Sequence, residues 1–368
     1  MTDRDYMLRA IELAKRGRGF TNPNPVVGAV IVKDGKIIGE GYHERYGGLH
    51  AERNAIASLT EPAKGASIYV TLEPCCHYGK TPPCTEAILE AGIARVVIGS
   101  RDPNPKVAGK GAKMLRNAGV VVEEDFLREE CDRQNRVFFH YITTHTPYVV
   151  MKYAMTADGK IATKTGASKW ITGEEARAKV QRFRHNYMGI MAGIGTVLAD
   201  DPMLNVRVKG LRSPVRIICD SRLRIPKESR ICQTAREYPT IVACAYGEIP
   251  RKAEELRELG VQIVNCPGRD GRVDLIKLMQ YLGEQGIDSV LLEGGAGLNE
   301  SALRAGIVKE VKVFAAPKIF GGTAKTPVTG EGVAEPDEAY QMELEKISRI
   351  GQDILLEYRI EEERPKEE

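Results

Sequence analysis

Two short segments constrain this chain most. His50-Ala51-Glu52 opens a helical pattern. Pro74-Cys75-Cys76-His77-Tyr78-Gly79-Lys80-Thr81-Pro82-Pro83-Cys84 follows a short strand pattern and runs into another helix. One histidine and two cysteines are donors that zinc favours in tetrahedral geometry. With His50, Cys75 and Cys84 as ligands, the fourth position stays open for water. That separates a catalytic site from a closed structural one, and the ion lowers the pKa of the water toward neutrality. Glu52 reaches toward the metal region without being a ligand. A carboxylate there can take a proton from water and pass it to a departing amine. Cys75 opens a turn or helix start, where thiolate is favoured. These parts suit hydrolytic removal of an exocyclic amine from a heteroaromatic ring. The rival is a closed four-ligand module using Cys76 or His77. Adjacent Cys75 and Cys76 would point in different directions, which counts against both holding one ion.

The surrounding pattern is α/β. At roughly 100–200 residues per domain, the 368 residues suggest two domains. In the first, helical periodicity covers 3–16, 50–59, 85–91 and 108–118, with a charged helix at 125–141. Strand-like runs cover 26–32, 36–40, 67–72 and 95–99, with Asp34-Gly35 as a hairpin turn. Alternation of this kind predicts layered α/β/α architecture. Thr143-Thr144-His145-Thr146-Pro147 is the expected boundary, giving domains at 1–145 and 146–360 and a charged tail at 361–368. The second domain has strand candidates at 148–155, 189–192, 215–219, 240–244, 262–265, 289–293 and 310–315. Helix candidates there are 174–185, 252–259, 274–285 and 299–305, so a long central sheet is expected.

Charge and cysteine usage narrow the partners. There are 20 basic and 18 acidic residues in 1–145, and 33 and 32 in the remainder. No basic arm marks a nucleic-acid binder. A phosphorylated small molecule needs only a few local cations. No apolar run reaches the roughly 18 residues of a membrane span. Met1 to Tyr6 mixes charge signs and does not read as a signal peptide. Eight cysteines are too sparse for a disulfide framework, so a cytoplasmic setting is expected.

The second domain shows no Gly-x-Gly-x-x-Gly between a strand and a helix, so the usual dinucleotide fold is not indicated. Its glycine-rich pieces are Gly193-Ile194-Gly195-Thr196 and Glu293-Gly294-Gly295-Ala296-Gly297-Leu298-Asn299, each after an apolar strand. Such pieces bind pyrophosphate or simply make tight turns. Asp220-Ser221-Arg222 stands at a strand end, where a hydroxyl and a guanidinium can hold a 2′-phosphate, favouring NADPH over NADH. Lys152 is the candidate polar group near the reacting carbon. Arg184 and Arg207 carry guanidinium forks suited to phosphate. Trp170 fits a core residue equally well, and Asp200-Asp201-Pro202 a simple helix stop.

The metal constellation resembles the zinc deaminases of the cytidine-deaminase superfamily, whose signature is His-x-Glu with Pro-Cys-x-x-Cys. This chain departs by placing eight residues between Cys75 and Cys84. That insert resembles one branch, the bifunctional riboflavin-biosynthesis deaminase/reductases. So do Thr21-Asn22-Pro23-Asn24-Pro25-Val26-Val27-Gly28, Asp102-Pro103-Asn104-Pro105 and Val150 to Ala162. The resemblance implies an N-terminal cytidine-deaminase-like α/β/α domain and a C-terminal dihydrofolate-reductase-like α/β domain. It implies a diaminopyrimidinone substrate carrying a phosphoribosylamino group, contacted by Asn24, His43, His77, Lys80 and Asn104. It implies NADPH lined by Ala154, Trp170, Thr196, Asp200, Ser221, Gly295, Ala296, Gly297, Leu298, Asn299, Glu300 and Ser301. Ser168, Arg184, Leu204, Arg207 and Glu293 would line the reductase substrate. A homo-oligomer is also implied. Two readings stay open beside it: a zinc deaminase acting on a nucleoside, nucleotide or tRNA base, and a non-catalytic zinc- or nucleotide-binding module.

Overall fold

The structure is a computed structural model that describes residues 1–79, 82–104, 107–248 and 250–361. Lys80, Thr81, Pro105, Lys106, Ile249 and tail residues 362–368 lie outside the described residues. The chain divides into two compact units, Met1–His145 and Thr146–Glu368.

Among the described residues the first unit has a five-stranded sheet. Its strands are β1 (Gly28–Lys33), β2 (Lys36–Tyr42), β3 (Ser67–Leu72), β4 (Arg95–Ser100) and β5 (Val121–Glu123), in the order β2-β1-β3-β4-β5. β1 is antiparallel to β2 and β3, while β3, β4 and β5 are parallel. Alternate side chains on these strands are buried on both faces. Ala29, Ile31, Ile68, Val70, Val96 and Ile98 join one core cluster; Val30, Val32, Tyr69 and Val97 join another. Helix α1 (Asp3–Ala14) covers the second face with Tyr6, Met7, Ala10 and Ile11. It starts with a capping box, in which Thr2 N donates to the Asp5 carboxylate at 2.8 Å. Helices α2 (Ala51–Ala57), α3 (Cys84–Glu90) and α4 (Lys110–Asn117) cover the first face through Ala51, Ala55, Ile88, Ala112 and Leu115. Helix α2 lies so close to β2 that a Cβ at Gly41 would stand 2.2 Å from Ala55 N. Only glycine permits that approach, which seats α2 directly on β2.

The expected helix at 125–141 is two helices, α5 (Arg128–Asp132) and α6 (Arg136–Thr144). Asn135 interrupts them. Its side-chain amide pairs with the backbone of Val26, donating to Val26 O and accepting from Val26 N, each at 2.9 Å. Asp125 and Leu127 also sit at positive φ, 63° and 52°, which no helix tolerates.

The second unit carries a nine-stranded sheet in the order β10-β9-β8-β7-β11-β6-β12-β14-β13. The strands are β6 (Tyr148–Thr156), β7 (Gly189–Gly193), β8 (Val215–Cys219), β9 (Thr240–Cys244), β10 (Val261–Asn265), β11 (Ser289–Leu292), β12 (Val308–Ala316), β13 (Met342–Ile350) and β14 (Asp353–Ile360). All run parallel from β10 through β12; β14 and β13 then pair antiparallel. β9 and β11 are wholly buried and read as continuous apolar runs, as parallel strands covered on both faces do. The hairpin β13–β14 is absent from the sequence expectations. Its first strand alternates Glu and Lys with apolar residues and stays largely exposed, so no apolar run marks it. Helix α7 (Glu174–Asn186) follows the expected pattern, whereas α8 (Ile194–Asp200) occupies what reads as a glycine-rich turn.

Candidate active sites

His50 is the N-cap of α2, with extended backbone (φ −75°, ψ 166°), and Glu52 follows in the first turn. Cys84 begins α3 directly after Pro83. Cys75 lies in the loop after β3. These three elements bring His50 Nδ1 to 3.5 Å from Cys75 Sγ and 3.4 Å from Cys84 Sγ. All three donor atoms lie within 4.8 Å of one another. With zinc–sulfur near 2.3 Å and zinc–nitrogen near 2.1 Å, a tetrahedral ion would space the donors by roughly 3.6 Å. The donor set therefore fits the ion.

The electrostatics match that chemistry. Hydrogen bonding with Cys84 and His50 pulls the Cys75 thiol down against the effect of burial. Cys84 is pushed up by Cys75 and by burial. Zinc requires thiolates, and Cys75 is the one already poised. The hydrogen bond with Cys75 raises His50. Glu52 is 3% exposed. Burial, reinforced by Cys75, pushes its carboxyl upward. Such tuning suits a group that both takes and gives a proton.

A cavity of about 260 Å³ joins His50, Glu52 and Cys75 to Asn24, His43, His77 and Asn104. Of the expected substrate residues only Lys80 lies outside the described part. His43 Nδ1 lies 2.9 Å from Leu49 O, so the ring proton sits there and Nε2 accepts from Asn24 Nδ2 at 3.2 Å. Burial lowers the His43 pKa and favours this neutral form.

Sequence reasoning missed Glu73 and Asp102 in the same cavity. Glu73 accepts backbone N–H bonds from Gly109, Gly111 and Ala112 at 2.9, 3.1 and 3.2 Å, fastening the start of α4 to the strand end that leads to Cys75. The fit is tight, since a Cβ at Gly111 would stand 2.1 Å from Pro74 O. Glu73 directly precedes Pro74, but nothing local says that a distant helix start supplies its donors.

Asp102 Oδ1 accepts from Asn104 N at 2.8 Å. Burial raises the Asp102 carboxyl from 3.8 to about 6. The folded state therefore holds this proton over a pH range in which the unfolded chain has lost it. Stability from this group is full below pH ~4 and falls as pH rises to ~6. Asp102→Asn, which keeps the acceptor oxygen, is expected to melt higher than the parent at pH 8 and no higher at pH 4. Equal melting temperatures at pH 8, read by circular dichroism, would contradict this.

The second unit holds a cavity of about 740 Å³. β7 and β11 are neighbours in the sheet; β7 ends at Gly193, and β11, ending at Leu292, runs into Glu293-Gly294-Gly295. Gly193 caps α8 and Gly295 caps the helix Ala296–Arg304. Ligands bind at such carboxyl ends of parallel strands. Lys152, Ala154, Ser168, Trp170, Arg184, Thr196, Asp200, Arg207, Ser221, Glu293, Gly295, Ala296, Gly297, Leu298, Asn299 and Ser301 line the cavity. Leu204 and Glu300 do not. Leu204 is packed in the core with Ile190 and Ile218. Glu300 pairs with Arg304 at 3.4 Å. Trp170 is 59% exposed, so it is no core residue, and the Arg177 guanidinium lies 4.6 Å over its ring.

Glu293 organises the floor of this cavity. Its carboxylate accepts from Lys152 Nζ at 3.1 Å and from Arg184 Nε and Nη2 at 2.7 and 3.0 Å. Burial would push this carboxyl up, but the two cations outweigh it and hold it well below the usual range. Beside Ser221 the guanidinium groups are those of Arg224 and Arg272, and not Arg222. Leu223 adopts φ 42° and buries its side chain, which redirects the turn. Ser221 Oγ accepts from Val273 N at 3.1 Å and so draws the Arg272 segment in. The arginine two positions beyond Arg222 was the available signal.

These sites define a two-headed enzyme, a zinc-dependent deaminase joined to a reductase. Residues 1–100 match the cytidine and deoxycytidylate deaminase zinc-binding region, and residues 147–356 match the RibD C-terminal domain. The chain is 58% identical over 359 residues to the riboflavin biosynthesis protein RibD of Actinobacillus pleuropneumoniae, covering 97% of this chain and 95% of that one. It is 42% identical over 371 residues to RibD of Escherichia coli K12, covering 97% and 99%. The solved structure of Acinetobacter baumannii RibD matches with a TM-score of 0.87 at 38% identity, covering 98% and 99%. The chain belongs to the RibD family of bifunctional riboflavin-biosynthesis deaminase/reductases. Its fold is accordingly a cytidine-deaminase-like unit followed by a RibD reductase unit.

Proposed function

We propose that residues 1–145 deaminate 2,5-diamino-6-(5-phosphoribosylamino)pyrimidin-4(3H)-one and that residues 146–360 reduce the ribosyl group of the product to ribityl. The carrying observation is the His50, Cys75 and Cys84 cluster beside buried Glu52 in one cavity. A Thermotoga maritima structure matched at TM-score 0.85 and 40% identity is of a diaminohydroxyphosphoribosylaminopyrimidine deaminase/5-amino-6-(5-phosphoribosylamino)uracil reductase, which supports the substrate.

In the first reaction a ring C–NH₂ becomes C=O and ammonia leaves. His50, Cys75 and Cys84 would hold zinc, which supplies a Lewis acid that activates water at neutral pH. Glu52 accepts a proton from the attacking water and returns it to the departing amine. Asn24 and Asn104 read ring edges, while His43 orients Asn24. His77 and Lys80 meet the ring or phosphate. The second reaction reduces C1′ and opens the ribose ring; NADPH, when bound, would supply the hydride, and Lys152 or solvent the proton that the ring oxygen takes up. Ala154, Trp170, Thr196, Asp200, Ser221, Gly295, Ala296, Gly297, Leu298, Asn299 and Ser301 would hold that cofactor. Ser168, Arg184, Arg207 and Glu293 hold the substrate. Lys152, oriented by Glu293, is the polar group at the reacting end. Lys152→Ala is expected to lower kcat for reduction at least ~10²-fold, the lower end of the range for a positioned proton donor; undiminished turnover would remove Lys152 from the chemistry.

The decisive experiment supplies the diaminopyrimidinone to zinc-loaded protein and follows ammonia, then NADPH oxidation. Ammonia before NADPH loss supports the reading. No ammonia with zinc bound overturns the substrate and brings nucleotide or tRNA substrates forward.

We also infer a cytoplasmic homo-oligomer without nucleic-acid partners. The eight free thiols and the even charge support this. Among the described residues no helix is long and apolar enough to cross a membrane. β13 is the sheet edge, and its Met342, Leu344 and Ile347 are exposed together with Ile354 of β14. The exposed apolar residues on one face of this otherwise charged hairpin favour covering by another copy. A monomer in sedimentation equilibrium would overturn the oligomer.

A further inference from the structure

Helix α7 turns one face to the reductase cavity, with Arg177, Val180, Gln181 and Arg184 at helical spacing. Gln181 is the unexplained member. It is 8% exposed, yet it is polar and lies in the cavity wall. Its Oε1 accepts from the backbone N–H of Arg207 at 2.9 Å. A main-chain N–H demands an acceptor, so this bond settles which way the amide faces. Nε2, with two donors, is left on the other side, and among the described residues nothing accepts from it. That NH₂ is not among the sealed atoms without a partner in the described residues, so it opens on the cavity where a ligand can reach it. Arg207, held by the same amide, lines the cavity and has no ion pair among the described residues. Arg184, about one helical turn along, is instead committed to Glu293.

Two donors lining one cavity, the Gln181 NH₂ and an Arg207 guanidinium without an ion pair, together match an anionic oxygen. We infer that Gln181 is a substrate-binding residue of the reductase, and that its amide NH₂ donates to the phosphate of the phosphoribosyl group beside Arg207. This rests on the reading of the cavity as a phosphosubstrate site. The pyrophosphate of NADPH offers the same chemistry. The substrate phosphate is preferred because Gln181 is tied to Arg207 and lies next to Arg184, whereas the glycine-capped helix start at Gly295 belongs to a different element.

The test uses the full chain with 5-amino-6-(5-phosphoribosylamino)uracil and its dephosphorylated counterpart, with NADPH varied separately. Gln181→Glu keeps the oxygen that receives the Arg207 N–H but turns a negative charge toward the phosphate. Its KM for the phosphorylated substrate is expected to rise roughly 10- to 100-fold, the range for a hydrogen bond to a charged group. KM for NADPH and KM for the dephosphorylated substrate should stay close to those of the parent. Gln181→Met, similar in volume, should show a smaller rise with the same selectivity. If KM rises equally for both substrates, or for NADPH instead, the assignment is overturned. If the parent itself does not prefer the phosphorylated substrate, the phosphosubstrate reading fails and takes this inference with it. If the parent discriminates and both variants discriminate equally well, only the role of Gln181 fails.

Discussion

Glu52→Gln should abolish deamination almost entirely, by ~10²–10⁴-fold, the range lost with a positioned general acid–base group. The substitution keeps the side chain's shape and removes its capacity to carry a proton between water and amine. Because Glu52 donates no ligand atom to the His50, Cys75 and Cys84 cluster, the variant should still bind zinc. Metal content by mass spectrometry and ammonia release on one sample check both halves of the expectation. Full deamination with zinc bound would sink the proton-shuttle role. Loss of activity together with loss of zinc would instead make Glu52 part of the metal shell.

Glu293→Leu should cost about 3–5 kcal/mol of stability, the usual penalty for stripping a buried cation of its partner. Lys152 and Arg184 have side chains only 12% and 14% exposed, and Glu293 is the carboxylate between them. Removing it leaves two cations in a low-dielectric floor. At ~2–4 °C per kcal/mol for a unit of this size, the melting temperature should fall by roughly 10 °C. Glu293→Gln, which keeps an acceptor oxygen but no charge, should fall less. Calorimetry separates the outcomes, and an unchanged transition in Glu293→Leu would show that the cations find water instead.

The local patterns were legible. The strands of the first unit fall at 28–33, 36–42, 67–72 and 95–100, close to the strand-like runs read at 26–32, 36–40, 67–72 and 95–99. β5 is only Val121–Glu123, too short to leave a periodic trace. The helix expected at 125–141 failed because the decisive bond joins Asn135 to Val26, far away in sequence. The hairpin β13–β14 failed because its first strand is charged and exposed, so its place was decided by pairing with β12 through β14.

The site shows the same division. His50, Glu52 and Cys84 stand at helix starts, and helix starts follow from short stretches of sequence; Cys75 follows from the strand before it. The donor types alone already implied the metal. What residues see across the fold could not be read that way. Arg224 and Arg272 replace Arg222 because the backbone turns at Leu223. Leu204 is taken up by a core. Glu73 is satisfied by amides of α4. Sequence by itself determined the donor set, the alternation of strand and helix and the order of the two units, because each depends on side-chain chemistry or near-neighbour periodicity. Only the tertiary structure decided which arginines face the larger cavity, which carboxylate joins Lys152 to Arg184 and which amide holds the backbone of Arg207, because burial and hydrogen-bond satisfaction are settled between segments far apart in the chain.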